Sequence, residues 1–219
     1  ASLAQNPQGD RAHNLERAIH HNKQTLKVFT RQANPIEWAN AQTNLASTYR
    51  CRIQGNKAKN IERAIECCFL ALEVLTREIS PKEWAKAHNN LANAYRDRIE
   101  GNRKENLKQA IHHCRQALTV FTREAYPRLW ATTQNNLANA YHDRMDSNRS
   151  AHIEQAIYNH QQALGVFTQE LYPEDWAWTH SNLGAAYHIR ILGEKATNVE
   201  LAIHHGQQAL EVFTSDTLP

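Results

Sequence analysis

Three pairs of neighbouring histidines have a residue type and spacing that could support metal binding or catalysis. They are His20-His21, His112-His113 and His204-His205. Imidazoles are common zinc ligands, but neighbours along a helix point about 100° apart and cannot share one metal. The corresponding positions between these pairs hold Glu66-Cys67 and Tyr158-Asn159. The pattern forms no cluster with ligand spacing, so we expect neither a metal nor a cofactor.

The four cysteines offer a second possible chemistry. Cys51, Cys67, Cys68 and Cys114 show no CxxC spacing, and the adjacent pair points to different sides of any helix. Neither Cys51 nor Cys114 has an evident histidine base, and burial in an apolar seam is the more common fate of such residues. We interpret them as free thiols in a reducing compartment. Since no HExxH, GxSxG or Walker motif is present either, we expect no enzymatic activity.

Composition favours an all-helical protein without a phosphate-binding surface. The 219 residues include only 7 Gly and 6 Pro, and 25 basic and 22 acidic residues are spread without a block of one sign. No run approaches the roughly 18 apolar residues of a membrane span, and the first residues lack the features of a signal peptide. We therefore expect a cytoplasmic protein with no membrane partner, and the mixed charge does not favour a nucleic-acid partner. Because an initiating Met is lacking, we also expect a piece of a longer protein.

A 46-residue period organises the chain. A tryptophan follows three residues after each of the first four periodic prolines, and a glycine follows 20 residues after three of them, with Ser147 in the third unit. Proline favours the first turn of a helix, and glycine favours its end. Each unit therefore predicts two helices, A and B, separated near the glycine. The periodic prolines are Pro35, Pro81, Pro127, Pro173 and Pro219.

Both predicted helices are amphipathic. Helix A of the first unit is expected from Pro35 to about Gln54, and both helices should have about 20 residues. Neither can cover its apolar face alone, so the hairpins must stack. The sequence predicts a single all-α solenoid of stacked antiparallel helical hairpins over 1–219. Its expected parts are a lone helix B at 12–34 and four repeats at 35–80, 81–126, 127–172 and 173–218.

The repeated motif resembles the tetratricopeptide repeat (TPR) family. The segment NNLANAY occurs at 89–95 and 135–141, and A-I and A-L follow in helix B, as at Ala110-Ile111 and Ala117-Leu118. The unit is longer than the 34 residues of that family, and Thr76 and its equivalents replace its late proline. The chain looks most like the long-repeat branch, which includes kinesin light chains and bacterial arrays attached to CHAT-type peptidases. The resemblance implies a right-handed superhelix whose concave side is lined by helix A and recognises protein.

Polar residues beside the apolar stripe of helix A are the candidate binding site. An asparagine amide can match the donor and acceptor of a peptide bond, so a column of them could hold an extended peptide. The alternative is that these amides bond neighbouring hairpins and set their stacking. The predicted peptide-binding amides are Asn44, Asn89, Asn90, Asn93, Asn135, Asn136, Asn139 and Asn182.

Other residues of helix A could add charge or an aromatic anchor. Arg50, Arg96, His142 and His188 lie near the predicted groove edge and could receive acidic groups, although a solvated rim is an equal alternative. Trp178 replaces Asn, Lys and Thr of the other units and could hold an apolar side chain of the partner, although an incidental surface tryptophan is an equal alternative.

Two further recurrent sets are expected to be structural. The arginines at positions 52, 98, 144 and 190 should reach an early helix B carboxylate, such as Glu62, Glu154 or Glu200, although Lys108 breaks that series. The tryptophans at 38, 84, 130 and 176 should lie in the core.

These features predict a scaffold for a protein or peptide. The alternatives are a structural element that self-associates through its exposed terminal helices and, less favoured, an RNA-binding array.

Overall fold

The computed structural model describes residues 7–144 and 146–213, and all regular secondary structure within them is α-helical. The chain divides into two compact units, one extending to Val120 and the other beginning at Phe121. The helices of these described residues are α1 Pro7–Val28, α2 Pro35–Cys51, α3 Lys57–Leu72, α4 Pro81–Asp97, α5 Arg103–Leu118, α6 Pro127–His142, α7 Arg149–Leu164, α8 Pro173–His188 and α9 Lys195–Leu210.

The first unit stacks α1 and two helical hairpins. Helices α2 and α3 form one hairpin and α4 and α5 the next, while α3 packs on α4 and α2 lies beside α4. The core between the hairpins contains Leu45, Ile61, Cys68 and Leu91, all 5% exposed or less. Small alanines such as Ala64 let the helices approach closely.

The second unit repeats this arrangement with two hairpins, α6–α7 and α8–α9. Helix α7 packs on α8, and α6 lies beside α8. Ile153, Leu183 and Tyr187 form one buried cluster, and Phe167 and Trp176 belong to another. The predicted all-α stack of helical hairpins is therefore confirmed within each unit.

Proline and asparagine set the starts of the helices. Each A helix begins at its periodic proline, so the predicted starts at 35, 81, 127 and 173 coincide with α2, α4, α6 and α8. Asn56 and Asn102 accept hydrogen bonds from the backbone N–H of Lys59 and Glu105 and so cap α3 and α5.

The helices are shorter than the predicted 20 residues, because α2 to α9 have 16 or 17. Helix α2 ends at Cys51 rather than Gln54, since Arg52 leaves the helical region with ψ 126°. Gly55 then turns the chain at φ 81°, a left-handed conformation that favours glycine. The lone helix α1 begins at Pro7 and ends at Val28, which corrects the predicted span of 12–34. The end of the predicted fourth repeat, 214–218, lies outside the described residues.

No helix in the described residues has the length and apolar character needed to cross a bilayer.

Candidate interaction surfaces

The recurrent arginines join one hairpin to the preceding B helix. Arg98 Nε lies 2.7 Å from Glu62 Oε1, and its Nη2 lies 2.9 Å from Glu62 Oε2. This two-pronged bond raises the pKa of Arg98. Arg52 with Glu16 and Arg190 with Glu154 make the same contact, again 36 residues apart. The predicted structural pairing with an early helix B carboxylate is confirmed in kind, but the glutamate belongs to the preceding unit: Glu62 pairs with Arg98 and Glu154 with Arg190, rather than with the arginines of their own units.

The third repeat replaces this contact with a local one. The 36-residue offset from Arg144 falls on Lys108, a cation, and Arg144 donates instead to Asp146 at 2.7 Å. His152 Nε2 lies 3.0 Å from the second oxygen of Asp146, at the position where other repeats carry an asparagine. The break in the series at Lys108 thus coincides with a different loop. These arginines have structural partners and are not available as a row of ligand-binding cations.

The recurrent tryptophans pack against the core as predicted, with Trp176 buried and the other three half-buried. Trp38 and Trp84 pack in one apolar cluster of the first unit, and Trp130 and Trp176 pack in one of the second.

The polar strip along the A helices, which we call the A-face, consists of positions 40, 44 and 47 and their equivalents at each 46-residue step. These positions recur at intervals of four and three, so they share one side of the helix. Their side chains are exposed or half-buried throughout. In the first unit they are Asn40, Asn44, Ser47, Lys86, Asn90 and Asn93, and in the second Thr132, Asn136, Asn139, Trp178, Asn182 and Ala185.

Part of the predicted amide column is directed between helices. Asn135 Oδ1 lies 2.9 Å from His160 Nδ1, and Asn135 Nδ2 donates to Thr179 Oγ1. Asn90 Nδ2 donates to the backbone oxygen of Thr43 at 3.2 Å, across to the neighbouring A helix. Both ends of the Asn135 amide are therefore engaged internally, and Asn90 has one donor engaged. For both residues the stacking alternative describes what their amides do.

Four amides of the set have no hydrogen-bond partner among the described residues: Asn44, Asn93, Asn139 and Asn182. Asn44 is exposed and the other three are half-buried. Asn89 and Asn136 do make internal interactions. The amides open to a ligand are thus a subset of the predicted eight.

The first unit has a small polar cleft on this face. It measures about 250 Å³ and lies between α2 and α4, lined by Asn40, Asn44, Glu83 and Lys86. Thr43 forms its floor, is buried and donates to Ala39 O. The cleft therefore offers an amide, a carboxylate and an ammonium group within one small space.

The residues predicted at the edge of the A-face are largely engaged. Arg50 lies 2.9 Å and Arg96 3.3 Å from the two oxygens of Asp97, so one carboxylate neutralises part of both charges. His142 Nδ1 lies 3.7 Å from Asp143. His188 is exposed and contributes to a groove of the second unit. The edge therefore forms mixed charge pairs rather than a positive rim.

Trp178 lies on the border of an apolar groove between α8 and α9. The groove measures about 750 Å³, and its walls include Ala185, Ile203 and Leu210. The Trp178 side chain is 52% exposed, and its ring centre lies 4.8 Å from that of Phe213. Its predicted exposure on helix A is confirmed, while its role as an anchor remains a prediction.

Two histidine pairs form between the two helices of a hairpin. Comparing only histidines that are neighbours within one helix did not reveal them. His88 Nδ1 lies 2.9 Å from His113 Nδ1, and His180 and His205 repeat this contact at the same distance. Burial is the main cause that lowers the pKa of His88 to about 4 and that of His113 to about 3. The signal was present in the sequence, because both positions change together to Gln42 and Cys67 in the first repeat and to Gln134 and Asn159 in the third.

Three of the four thiols are poor nucleophiles in the folded chain. Cys67, Cys68 and Cys114 are buried, and burial raises the pKa of Cys67 and of Cys114 to about 12. Burial also raises the pKa of Cys68. Among the described residues, no group of three or more His, Cys, Asp or Glu side chains is arranged to hold a metal.

Comparison with known proteins adds no family assignment: no protein-family model matches the chain, and no curated protein matches it. The functional argument therefore depends on the repeat architecture, the A-face and its polar cleft.

Proposed function

We propose that this helical repeat protein is a non-catalytic scaffold that holds a partner polypeptide on its A-face. Stacked helical hairpins present long, regular surfaces, and such architectures typically serve protein recognition. The TPR-like motif supports the same function. The observation that carries the proposal is the set of amides without an internal partner, Asn44, Asn93, Asn139 and Asn182.

Amide chemistry favours an extended peptide as the ligand. Each asparagine offers one acceptor and two donors, which match the backbone of a peptide in an extended conformation. Asparagine is also a poor helix former, so its recurrence on this helix face lowers the intrinsic stability of the helices. A binding role accounts for that cost where no internal hydrogen bond does.

Charge on the A-face favours a protein over RNA. A phosphate backbone requires unpaired cations along its path. In the first unit Arg50 and Arg96 share the carboxylate of Asp97, and the polar cleft places Glu83 beside Lys86. Mixed charge of this kind suits a polypeptide with both acidic and basic side chains.

The test uses peptides selected with the protein itself. Peptides from a random display library are selected on the full chain, and their affinity is measured by fluorescence anisotropy. The double variant Asn44→Ala/Asn93→Ala should weaken binding of peptides seated on the first unit by about tenfold, since each lost hydrogen bond contributes roughly 0.5–1.5 kcal/mol. Asn139→Ala/Asn182→Ala should do the same in the second unit.

Gln155→Ala serves as the matched control, because Gln155 is an exposed amide on α7, away from the A-face. Its affinity should equal that of the unmodified chain. If neither double variant weakens any selected peptide by more than twofold, the A-face is not the binding surface.

A further inference from the structure

The polar cleft between α2 and α4 is lined by two amides, a carboxylate and an ammonium group. These groups belong to Asn40, Asn44, Glu83 and Lys86. Within the part of the chain that the structure describes, none of the four side chains has a hydrogen bond or an ion pair. Glu105 and Lys108 on α5 have the same spacing as Glu83 and Lys86 on α4, and there the two charges meet at 3.1 Å. In the cleft the two opposite charges instead stay available to a ligand.

The equivalent positions between α6 and α8 of the second unit are bonded internally. Asp175 occupies the position of Glu83, and Arg128 Nη2 lies 3.2 Å from its carboxylate. Thr132 occupies the position of Asn40, and its hydroxyl donates to Arg128 O at 2.9 Å. The repeat thus has an internally bonded arrangement for these positions, and the first unit does not use it. Stacking of the hairpins therefore does not require the free groups of the cleft.

The volume of the cleft suits one side chain of a larger ligand. Sites for free small molecules measure roughly 300–1,000 Å³, whereas this cleft measures about 250 Å³. Its floor is Thr43, whose buried hydroxyl already donates to Ala39 O, so that oxygen can only accept a further hydrogen bond. The occupant is therefore a side chain that carries at least one hydrogen-bond donor.

The opposite charges of the cleft select against an ionised side chain. A carboxylate is attracted by Lys86 and repelled by Glu83, and a cationic group experiences the reverse. Either ion loses water on entering and gains little net charge compensation. An apolar side chain would instead displace water from polar groups and leave them unpaired. The cleft therefore favours a neutral side chain that both donates and accepts.

A primary amide meets this requirement better than a hydroxyl does. Its NH₂ group and its oxygen are separate atoms, so one can donate to a carboxylate while the other accepts from an ammonium group. A hydroxyl has a single oxygen for both tasks. Asn40 and Asn44 add donors and acceptors of the same kind at the cleft.

We propose that this cleft binds the primary amide side chain of a glutamine or asparagine in a polypeptide held on the A-face. The amide nitrogen donates to the Glu83 carboxylate, and the amide oxygen accepts from Lys86 Nζ. This inference rests on the proposed function and adds to it the side chain that the first unit recognises.

The probes are peptides from a random display library, selected on the full chain, whose affinity falls in the double variant Asn44→Ala/Asn93→Ala. Each position of such a peptide is replaced in turn by Gln, Asn, Glu, Lys, Ser and Leu, and binding to the full chain is measured by fluorescence anisotropy. At one position Gln or Asn should bind at least about tenfold more tightly than Glu, Lys, Ser or Leu, as expected for one hydrogen bond to a charged group.

Two variants that each remove one charge assign this preference to the cleft. Glu83→Gln leaves a positive cleft and should shift the preferred residue to Glu, whereas Lys86→Met leaves a negative cleft and should shift it to Lys. Asp175→Asn is the matched control, because the carboxylate at this equivalent position is already paired with Arg128. It should leave the amide preferred. Circular dichroism verifies that the variants are folded, and each charge variant tests the proposal without the other.

The outcomes separate this inference from the proposed function. Peptides that depend on the A-face asparagines but show no position with a preference for Gln or Asn would overturn the inference alone. So would an amide preference that persists in both charge variants, or a preference for Glu or Lys with the unmodified chain. If no selected peptide depends on those asparagines, the proposed function fails and the inference fails with it.

Discussion

His88 and His113 face each other across the α4–α5 hairpin with their Nδ1 atoms 2.9 Å apart. At this distance one nitrogen donates and the other accepts, so the two rings share one proton between them. Trp84 lies 4.3 Å from His88, and Tyr95 stacks on His113 at 5.6 Å, both measured between ring centres. One added proton would turn one of the two neutral rings into an imidazolium cation in a largely apolar surrounding, which burial disfavours.

The first prediction is that acid destabilises the fold through these pairs. Burial lowers the pKa of His88 to about 4 and that of His113 to about 3, below the ordinary value of 6.5. Between pH 6.5 and 4 the unfolded chain binds protons that the folded chain excludes, so stability falls as pH falls. Each such histidine should lower the free energy of unfolding by about 1.4 kcal/mol per pH unit in this range. Urea unfolding at pH 7, 6, 5 and 4 measures the slope.

The double variant His88→Gln/His113→Cys, which installs the residues of the first repeat, is the control for this prediction. Its stability should depend less steeply on pH than that of the unmodified chain. If the free energy of unfolding falls with pH equally steeply in the variant and in the unmodified chain, acid destabilises the fold through other groups.

The second prediction separates Asn135, whose amide bonds internally, from Asn139, whose amide does not. Asn135→Ala removes the partner of the buried His160 Nδ1 and of Thr179 Oγ1, and an unpaired buried polar group destabilises by roughly 1–3 kcal/mol. Asn139 lies one helical turn away and is half-buried, and its side-chain amide has no hydrogen bond among the described residues. Asn139→Ala should be neutral or slightly stabilising. Thermal unfolding of both variants checks this, and equal effects would remove the distinction.

The third prediction concerns the contact between Arg98 and Glu62. Both side chains are about 30% exposed, so solvent screens the pair, and its coupling should be about 0.5–1 kcal/mol. Arg98→Lys should lose most of that coupling, because an ammonium group cannot match the two carboxylate oxygens as a guanidinium does. A double-mutant cycle of Arg98→Lys and Glu62→Gln measures the coupling. It should weaken in 1 M NaCl, and a coupling that is insensitive to salt would contradict an electrostatic origin.

The helices and hairpins could be predicted because the features that specify them recur every 46 residues. The periodic proline, such as Pro81, begins each A helix, and the periodic glycine, such as Gly101, turns the chain after it. Neither effect requires a contact with a residue distant in sequence. The role of Asn135 could not be predicted in this way. Its partner His160 has no equivalent in the other repeats, where Cys68, Cys114 and Gly206 occupy the position.

The candidate site was therefore predicted less completely than the fold. The periodic pattern placed the asparagines on one side of helix A, but which amides bond internally depends on residues that differ between repeats. The cross-hairpin histidine pairs could have been found, since His88 and His113 change together with their equivalents. Comparing pairs of positions between repeats, rather than neighbours along one helix, reveals such contacts.

The last prediction compares Gly101, which a left-handed turn requires, with Gly206, which lies inside a helix and is not required by the backbone conformation. Gly101 has φ 79°, and an added Cβ would have room, with its nearest neighbour at 3.8 Å. The cost of Gly101→Ala is therefore conformational, roughly 1–2 kcal/mol for a left-handed non-glycine residue. Gly206 lies within α9, and an added Cβ meets no atom within 4 Å. Gly206→Ala should raise the free energy of unfolding by up to about 1 kcal/mol through helix propensity.

Urea unfolding at pH 7 compares the two variants with the unmodified chain, and unchanged m-values would show that the denatured state is the same in all three. The third repeat supports the expected sign for Gly101, because Ser147 occupies the equivalent position and no non-glycine residue in the described parts of the chain has a positive φ. That loop follows a different path, in which Arg144 binds Asp146 rather than a helix B glutamate. A loop without the glycine thus requires other contacts, and Gly101→Ala supplies none of them. Equal stability of the two alanine variants would contradict this account.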